Sequence, residues 1–181
     1  MNRTVLFPVD VFERTKCIIF HMTDLPYGRG GSPLQNLIVR GHSETMVSAL
    51  RCEAGLDTGP IYMKRPLSLL GSAREILLRA TDVIAGMIAD MVENWPQPVP
   101  QTGEPTLFKR RTPADSNWAD ARTLDAVYDH IRMLDADGYP PAFLDIGGFR
   151  LEFPRASRSA DSVLADVRIV PVNRNSPKAS S

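Results

Sequence analysis

The sequence predicts an α/β fold, and three features carry that expectation. The runs TKCIIF (15–20) and TMVSALRC (45–52) are apolar and partly β-branched, as strands buried against a core are. The stretch 73–94 places Ile76, Ala80, Val83, Ile84, Met87, Met91 and Val92 at helical spacing. Gly- and Pro-containing clusters separate these segments. With 181 residues, 43% of them hydrophobic, the chain can bury one domain core and carry a small appended module.

Taken in order, the run 15–20 ends at His21, and FHMTDLPYGRGGSPLQ (20–35) leads from it toward a helix. Ser32 is placed to cap that helix and Pro33 suits its first turn. Leu34, Leu37 and Ile38 share one face, and Gly41 stops it. A strand-to-helix connection of this kind carries ligands at the carboxyl edge of an open α/β sheet. The run 45–52 and GPIYMKRPLSL (59–69) predict a hairpin across the loop EAGLDT, which holds Asp57. Ser72 and Glu75 form a capping box before the helix 73–94, whose methionines read as core filling.

WPQPVPQTGEPT (95–106) predicts a connector. A second amphipathic helix is expected near 123–134, with Leu124, Val127, Tyr128, Ile131 and Leu134 in register. PPAFLDIGGFRLEF predicts a hairpin turning at Gly147-Gly148, VLADVRIV a last strand, and 171–181 a disordered tail. The expected division is a core over 1–95, a connector over 96–122, a C-terminal α+β module over 123–170 and the tail.

Charge narrows the partners. With 21 basic and 21 acidic residues the formal net charge is zero, which removes the bulk electrostatic case for a nucleic-acid or membrane partner. FKRR (108–111) is the one basic run, and it reads first as a solvated face. No apolar window suits a membrane span or a signal-peptide core, so a cytoplasmic protein is expected, in which the sequon Asn2-Arg3-Thr4 would go unused. Cys17 and Cys52 lie in strand-like company without C-x-x-C spacing and read as buried free thiols, with no metal site implied.

The chemistry turns on residues 20–35 and 55–59. GRGGSP invites a phosphate-loop reading, but Gly28, Gly30 and Gly31 match neither a P-loop nor a dinucleotide fingerprint. His21 at a strand end and Asp57 in LDTGP can converge above one sheet edge. Together they could manage the protons of an acyl transfer to an amine. A histidine after a strand is also commonly structural, and these residues alone leave both readings open. His42 follows the helix stop at Gly41 and His130 lies within an amphipathic helix, so both read as surface or structural.

Four elements, IFHMTDLP, GRGGSP, GHSET and DTGPI, occur in the order and with the gaps of one known pattern. His21 to Ile61 resembles the folate-dependent formyltransferase family, whose signature is an Asn-x-His-x-Ser/Thr-x-Leu-Pro turn, Arg-Gly before a proline-initiated helix, a Gly-x-x-x-Thr segment and an Asp-x-Gly loop. The tail RRTPADSNW…IRMLDADGYPPAF more loosely resembles the C-terminal part of tRNA and amino-sugar formyltransferases. The resemblance implies a partial formyltransferase-type, Rossmann-like sheet with a small C-terminal α+β module. It implies 10-formyltetrahydrofolate as formyl donor and a primary amine as acceptor, with no metal. His21 would polarise the formyl oxygen and shuttle protons, and Asp57 would orient it or accept the proton through water. Thr23, Asp24 and Arg29 would shape the turn, while Leu25, Gly55, Leu56, Thr58 and Gly59 would line the folate pocket.

The family's asparagine, a side-chain donor to the oxyanion, falls at Ile19. Only 14 residues precede the 15–20 run, too few for the βα units that precede this histidine in the family, so a chain lacking the N-terminal part of the catalytic domain is expected. Such a chain would expose a sheet edge open to self-association or a second polypeptide. The leading expectation for the acceptor is a nucleotide-linked amino sugar, with nucleic acid disfavoured. The alternatives are a methionyl-tRNA formyltransferase-like protein and a truncated, non-catalytic folate-binding or interaction module.

Overall fold

The computed structural model describes residues 14–172 and divides into two compact units. One runs through Arg111 and takes in Ala136–Gly138; the other holds Thr112–Asp135 and the chain from Tyr139 onward. A strand expected at TVLFP, the sequon and the tail from residue 173 lie outside the described residues.

The first unit is built on a three-stranded antiparallel sheet of β1 (Ile18–His21), β3 (Glu44–Arg51) and β4 (Ile61–Ser68), in the order β1-β3-β4. The register sets His21 opposite Ser48 and Ser48 opposite Lys64, with an irregularity between Ala49 and Leu50. Val47, Ser48, Ala49 and Leu50 are all buried, so the central strand is covered on both faces. The mixed α/β character expected from sequence is present. It comes from helices covering this sheet, since the described strands of the sheet run antiparallel instead of forming the parallel ladder of an open α/β sheet.

Helix α1 (Pro33–Ile38) is short and buries every residue after its proline. Ser32 occupies its cap position, but in a left-handed conformation (φ 51°) with no side-chain bond into the helix. Its hydroxyl instead accepts the Arg111 amide at 3.0 Å, which corrects the capping role expected of it. Helix α2 (Ala73–Asn94) spans the predicted residues, and both hydrogen bonds of the Ser72/Glu75 capping box are made. Ile76, Ala80, Met87 and Met91 are buried, and Arg65 of β4 pairs with Asp90 of α2. Val92, expected on the apolar face, is 76% exposed, as Ile88 one turn earlier is at 47%, so both lie on the solvent side of the helix. The proline-rich segment that follows packs into the unit. Val99 exchanges two backbone hydrogen bonds with Ile61 (2.8 and 2.9 Å), and β5 (Leu107–Phe108) pairs in parallel with β2 (Arg29–Gly30).

In the second unit, a single 3₁₀ turn (Pro113–Ser116) precedes α3 (Leu124–Arg132), whose N-cap Thr123 accepts the Ala126 amide at 3.1 Å. The predicted hairpin is β6 (Ala142–Ile146) and β7 (Phe149–Phe153), closed by Gly147-Gly148, both with positive φ. Asp145 and Arg150 face each other across it in a two-point ion pair, both bonds 2.8 Å. The expected last strand 163–170 is two strands. β9 (Val163–Ala165) pairs with β8 (Ala156–Arg158), and β10 (Arg168–Pro171) joins the edge of β7. Asp166 breaks the run, its amide bonding the Arg155 carbonyl at 3.0 Å and its carboxylate the Arg155 guanidinium at 2.9 Å.

Candidate active site

The turn after β1 is held from two sides. Thr23 is fully buried; its hydroxyl bonds the Gly28 carbonyl at 3.3 Å, and its own carbonyl accepts the buried Ser48 hydroxyl at 2.7 Å. On the other side the Thr106 carbonyl accepts both the Gly28 and Arg29 amides at 3.0 Å, and the Phe108 carbonyl accepts Gly31 at 3.1 Å. This close approach requires glycine at position 30: its φ is +110°, and a Cβ there would overlap the Phe108 carbonyl oxygen. Asn36 closes the arrangement from α1, donating to the carbonyls of Gly31, Ser32 and Lys109.

His21 and Asp57 come together at this turn. Their side chains are 9% and 10% exposed, and His21 Nδ1 lies 3.7 Å from Asp57 Oδ2. His21 Nε2 sits 2.8 Å from the Gly28 carbonyl. A carbonyl only accepts, so Nε2 carries a hydrogen, and Nδ1 is the position left to gain and lose a proton. The 3.7 Å separation exceeds a direct hydrogen bond and is suited to one bridging water or a small polar group. Asp57 adopts a left-handed conformation, φ 54°, and its Oδ2 accepts the Gly30 amide at 2.8 Å.

The remaining expected residues separate by exposure. Asp24 pairs with Lys64 at 2.5 Å at the surface, and Lys64 also donates to the Leu25 carbonyl at 2.6 Å. Leu25 is 1% exposed, so its side chain is enclosed in the fold beside the turn. Gly59 is also enclosed, with a Cβ there overlapping the Arg51 carbonyl. Gly55, Leu56 and Thr58 are exposed, Leu56 at 50%, which leaves main-chain groups and one apolar side chain open beside Asp57. Arg29 donates from Nε and Nη2 to Gln101 Oε1, at 3.1 and 2.7 Å. Ile19, two residues before His21 on the same strand face, offers no polar atom from its side chain. Ser48, Asn36 and Gln101 support the site yet carried no sequence signal, because each acts through backbone carbonyls distant in the chain. Among the described residues no group of His, Cys, Asp or Glu could hold a metal ion, and no helix is long and apolar enough to cross a membrane.

Comparison with known proteins decides the family. The chain is 47% identical to methionyl-tRNA formyltransferase from Clostridium thermocellum, covering 94% of this chain and 75% of that one with a TM-score of 0.90. The chain belongs to the folate-dependent formyltransferase family. Residues 113–170 match the family model described as methionyl-tRNA formyltransferase, C-terminal domain. The methionyl-tRNA formyltransferase of Clavibacter michiganensis subsp. michiganensis is 31% identical over 155 residues, covering 82% of this chain and 50% of that protein. HypX from Aquifex aeolicus, solved with tetrahydrofolic acid, shares the fold at a TM-score of 0.66 and 18% identity, over 86% of this chain and 28% of that one. The chain therefore spans about half the length of the curated formyltransferases it matches. These relatives overturn the amino-sugar acceptor expected from sequence, since both the 47% and the 31% identical proteins are methionyl-tRNA formyltransferases. The loose likeness of the tail had not separated the two kinds of enzyme.

Proposed function

We propose that this chain carries the proton-handling half of a methionyl-tRNA formyltransferase site, moving a formyl group from 10-formyltetrahydrofolate to the amine of methionyl-tRNA. The observation that carries the reading is the enclosed His21–Asp57 pair, 3.7 Å apart, at the turn bearing the family's motifs. The donor reading is supported by what lies beside that pair: the exposed residues Gly55, Leu56 and Thr58 can offer polar main-chain groups and one apolar side chain to a flat, hydrogen-bonding ring. When bound, the donor supplies the electrophilic formyl carbon.

The chain's own residues handle charge and protons. The attacking amine must shed a proton and the leaving nitrogen must gain one. His21 Nδ1 is positioned to exchange a proton with Asp57 across the gap, while the Gly28 carbonyl fixes the ring. Asp57 is in turn fixed by the Gly30 amide. A protonated His21 would lend positive charge to the formyl oxygen as it becomes anionic, while the Ile19 side chain offers no donor for that charge.

A tRNA-borne acceptor replaces the expected small amine and the expectation of no nucleic-acid partner. Its support is the naming of the relatives, and zero net charge is compatible with it if binding is local. A second polypeptide or a second copy would find a place at β1, which among the described strands pairs only with β3. The test is formyl transfer from 10-formyltetrahydrofolate to methionyl-tRNA, free methionine and uncharged tRNA. Transfer to methionyl-tRNA alone is expected. Transfer to none of the three overturns the proposed function.

A further inference from the structure

Gln101 lies in the proline-rich stretch that sequence marks as a connector, and its amide is fully engaged. Oε1 accepts both Nε and Nη2 of Arg29, at 3.1 and 2.7 Å. Nε2 donates to the carbonyls of Asp57 and Gly59, each at 2.8 Å. A carboxamide has two donor hydrogens and two acceptor lone pairs, and all four are used. The amide's orientation is also forced: a guanidinium only donates and the two carbonyls only accept, so exchanging oxygen and nitrogen would lose every bond.

We propose that Gln101 is a positioning residue for the reaction, clamping the Asp57 loop to the His21 turn so that the Asp57 carboxylate stays opposite His21 Nδ1. This rests on the catalytic reading of His21 and Asp57. Three features support the clamp. The segment carrying Gln101 is itself anchored, through Val99 to Ile61 on one side and through Thr106 to Pro26, Gly28 and Arg29 on the other. Asp57 holds a left-handed backbone, a conformation uncommon outside glycine and more accessible to aspartate than to most residues, which its loop must keep in place. Its side chain is tied to the Gly30 amide and its carbonyl to Gln101, so the residue is fixed at both ends. The Arg29 guanidinium on Oε1 also polarises the amide and strengthens its donation to the two carbonyls.

Two variants separate positioning from simple support of the fold. Gln101→Ala removes all four bonds. Gln101→Glu keeps acceptors for Arg29 but turns a carboxylate toward two carbonyls, and regains a donor only when protonated. Both are expected to lower kcat/KM for formyl transfer about 30- to 100-fold at about pH 8, the scale of a displacement near 1 Å at a reacting centre. Protonation offers Gln101→Glu no rescue near neutral pH, because the Arg29 guanidinium favours the ionised form of the introduced carboxyl. Independently of activity, hydrogen exchange at the Gly30 amide, which bonds the Asp57 carboxylate, should accelerate in both variants while the Ser48 amide stays protected. Unchanged Gly30 protection overturns the clamp, as does wild-type kcat/KM in both folded variants. If the parent chain transfers no formyl group, the functional reading fails and the Gly30 measurement still decides the clamp.

Discussion

Replacing Gly59 by alanine puts a methyl group where the fold has left none. The new Cβ would lie 2.9 Å from the Arg51 carbonyl carbon and overlap its oxygen, so strand end and loop must part by an amount on the order of 1 Å. Neither side yields freely. The Arg51 amide bonds the Pro60 carbonyl at 2.9 Å, and the Gly59 and Asp57 carbonyls share the Gln101 amide. Overpacking of this kind costs about 1–3 kcal/mol in stability. If the loop takes up the movement, Asp57 shifts against His21, and a misplacement near 1 Å costs roughly 100-fold in rate. The assay is kcat/KM for formyl transfer, scaled by the folded fraction from a thermal melt. A Gly59→Ala protein with intact melt and undiminished kcat/KM would refute the coupling of this loop to the reaction.

Three further outcomes follow from the same geometry. Ile19→Asn, which restores a carboxamide on the strand face of His21, should raise the rate toward the roughly 100-fold that one oxyanion donor typically contributes, read from kcat; no gain would show that a main-chain donor already fills the place. Ser72→Ala should cost about 1 kcal/mol by urea titration. The Ser72 amide, and then its hydroxyl, hold the Glu75 carboxyl below its ordinary range, so this stabilisation is present above that range and is lost as pH falls through the lowered value; the wild-type minus Ser72→Ala difference should therefore shrink in acid. Burial, then the neighbouring Cys17 and Glu53, raises the Cys52 thiol, so alkylation at about pH 8 should be slow in the folded chain and fast after denaturation.

Helix α2 and the β3–β4 hairpin were legible because independent local signals agreed. A capping box, a helical stripe and two apolar strands flanking a Gly-containing loop each specify local structure without reference to distant residues. His21 and Asp57 were legible as residue types, but their meeting needed the motif order, since 36 positions separate them and no periodicity links a strand end to a hairpin loop. The segment 95–106 was legible only as extended backbone. Prolines announce an extended backbone, yet extended backbone can pair as an edge, as Val99 does with Ile61. The burial of the Leu25 side chain was not legible from the motif, because the same Leu-Pro step could face either the core or the open side of the turn. The break in 163–170 came from Asp166 finding partners in Arg155, a contact that no strand propensity encodes.

The central claim is that His21 and Asp57 act as one proton-handling unit. The direct measurement is a double-substitution cycle on formyl transfer with His21→Ala, Asp57→Ala and the combined variant. Each single change should cost on the order of 100- to 10,000-fold, and the pair little more than the worse single change, because either one disables the same unit. Activity that survives both substitutions, or losses that simply multiply, would contradict it.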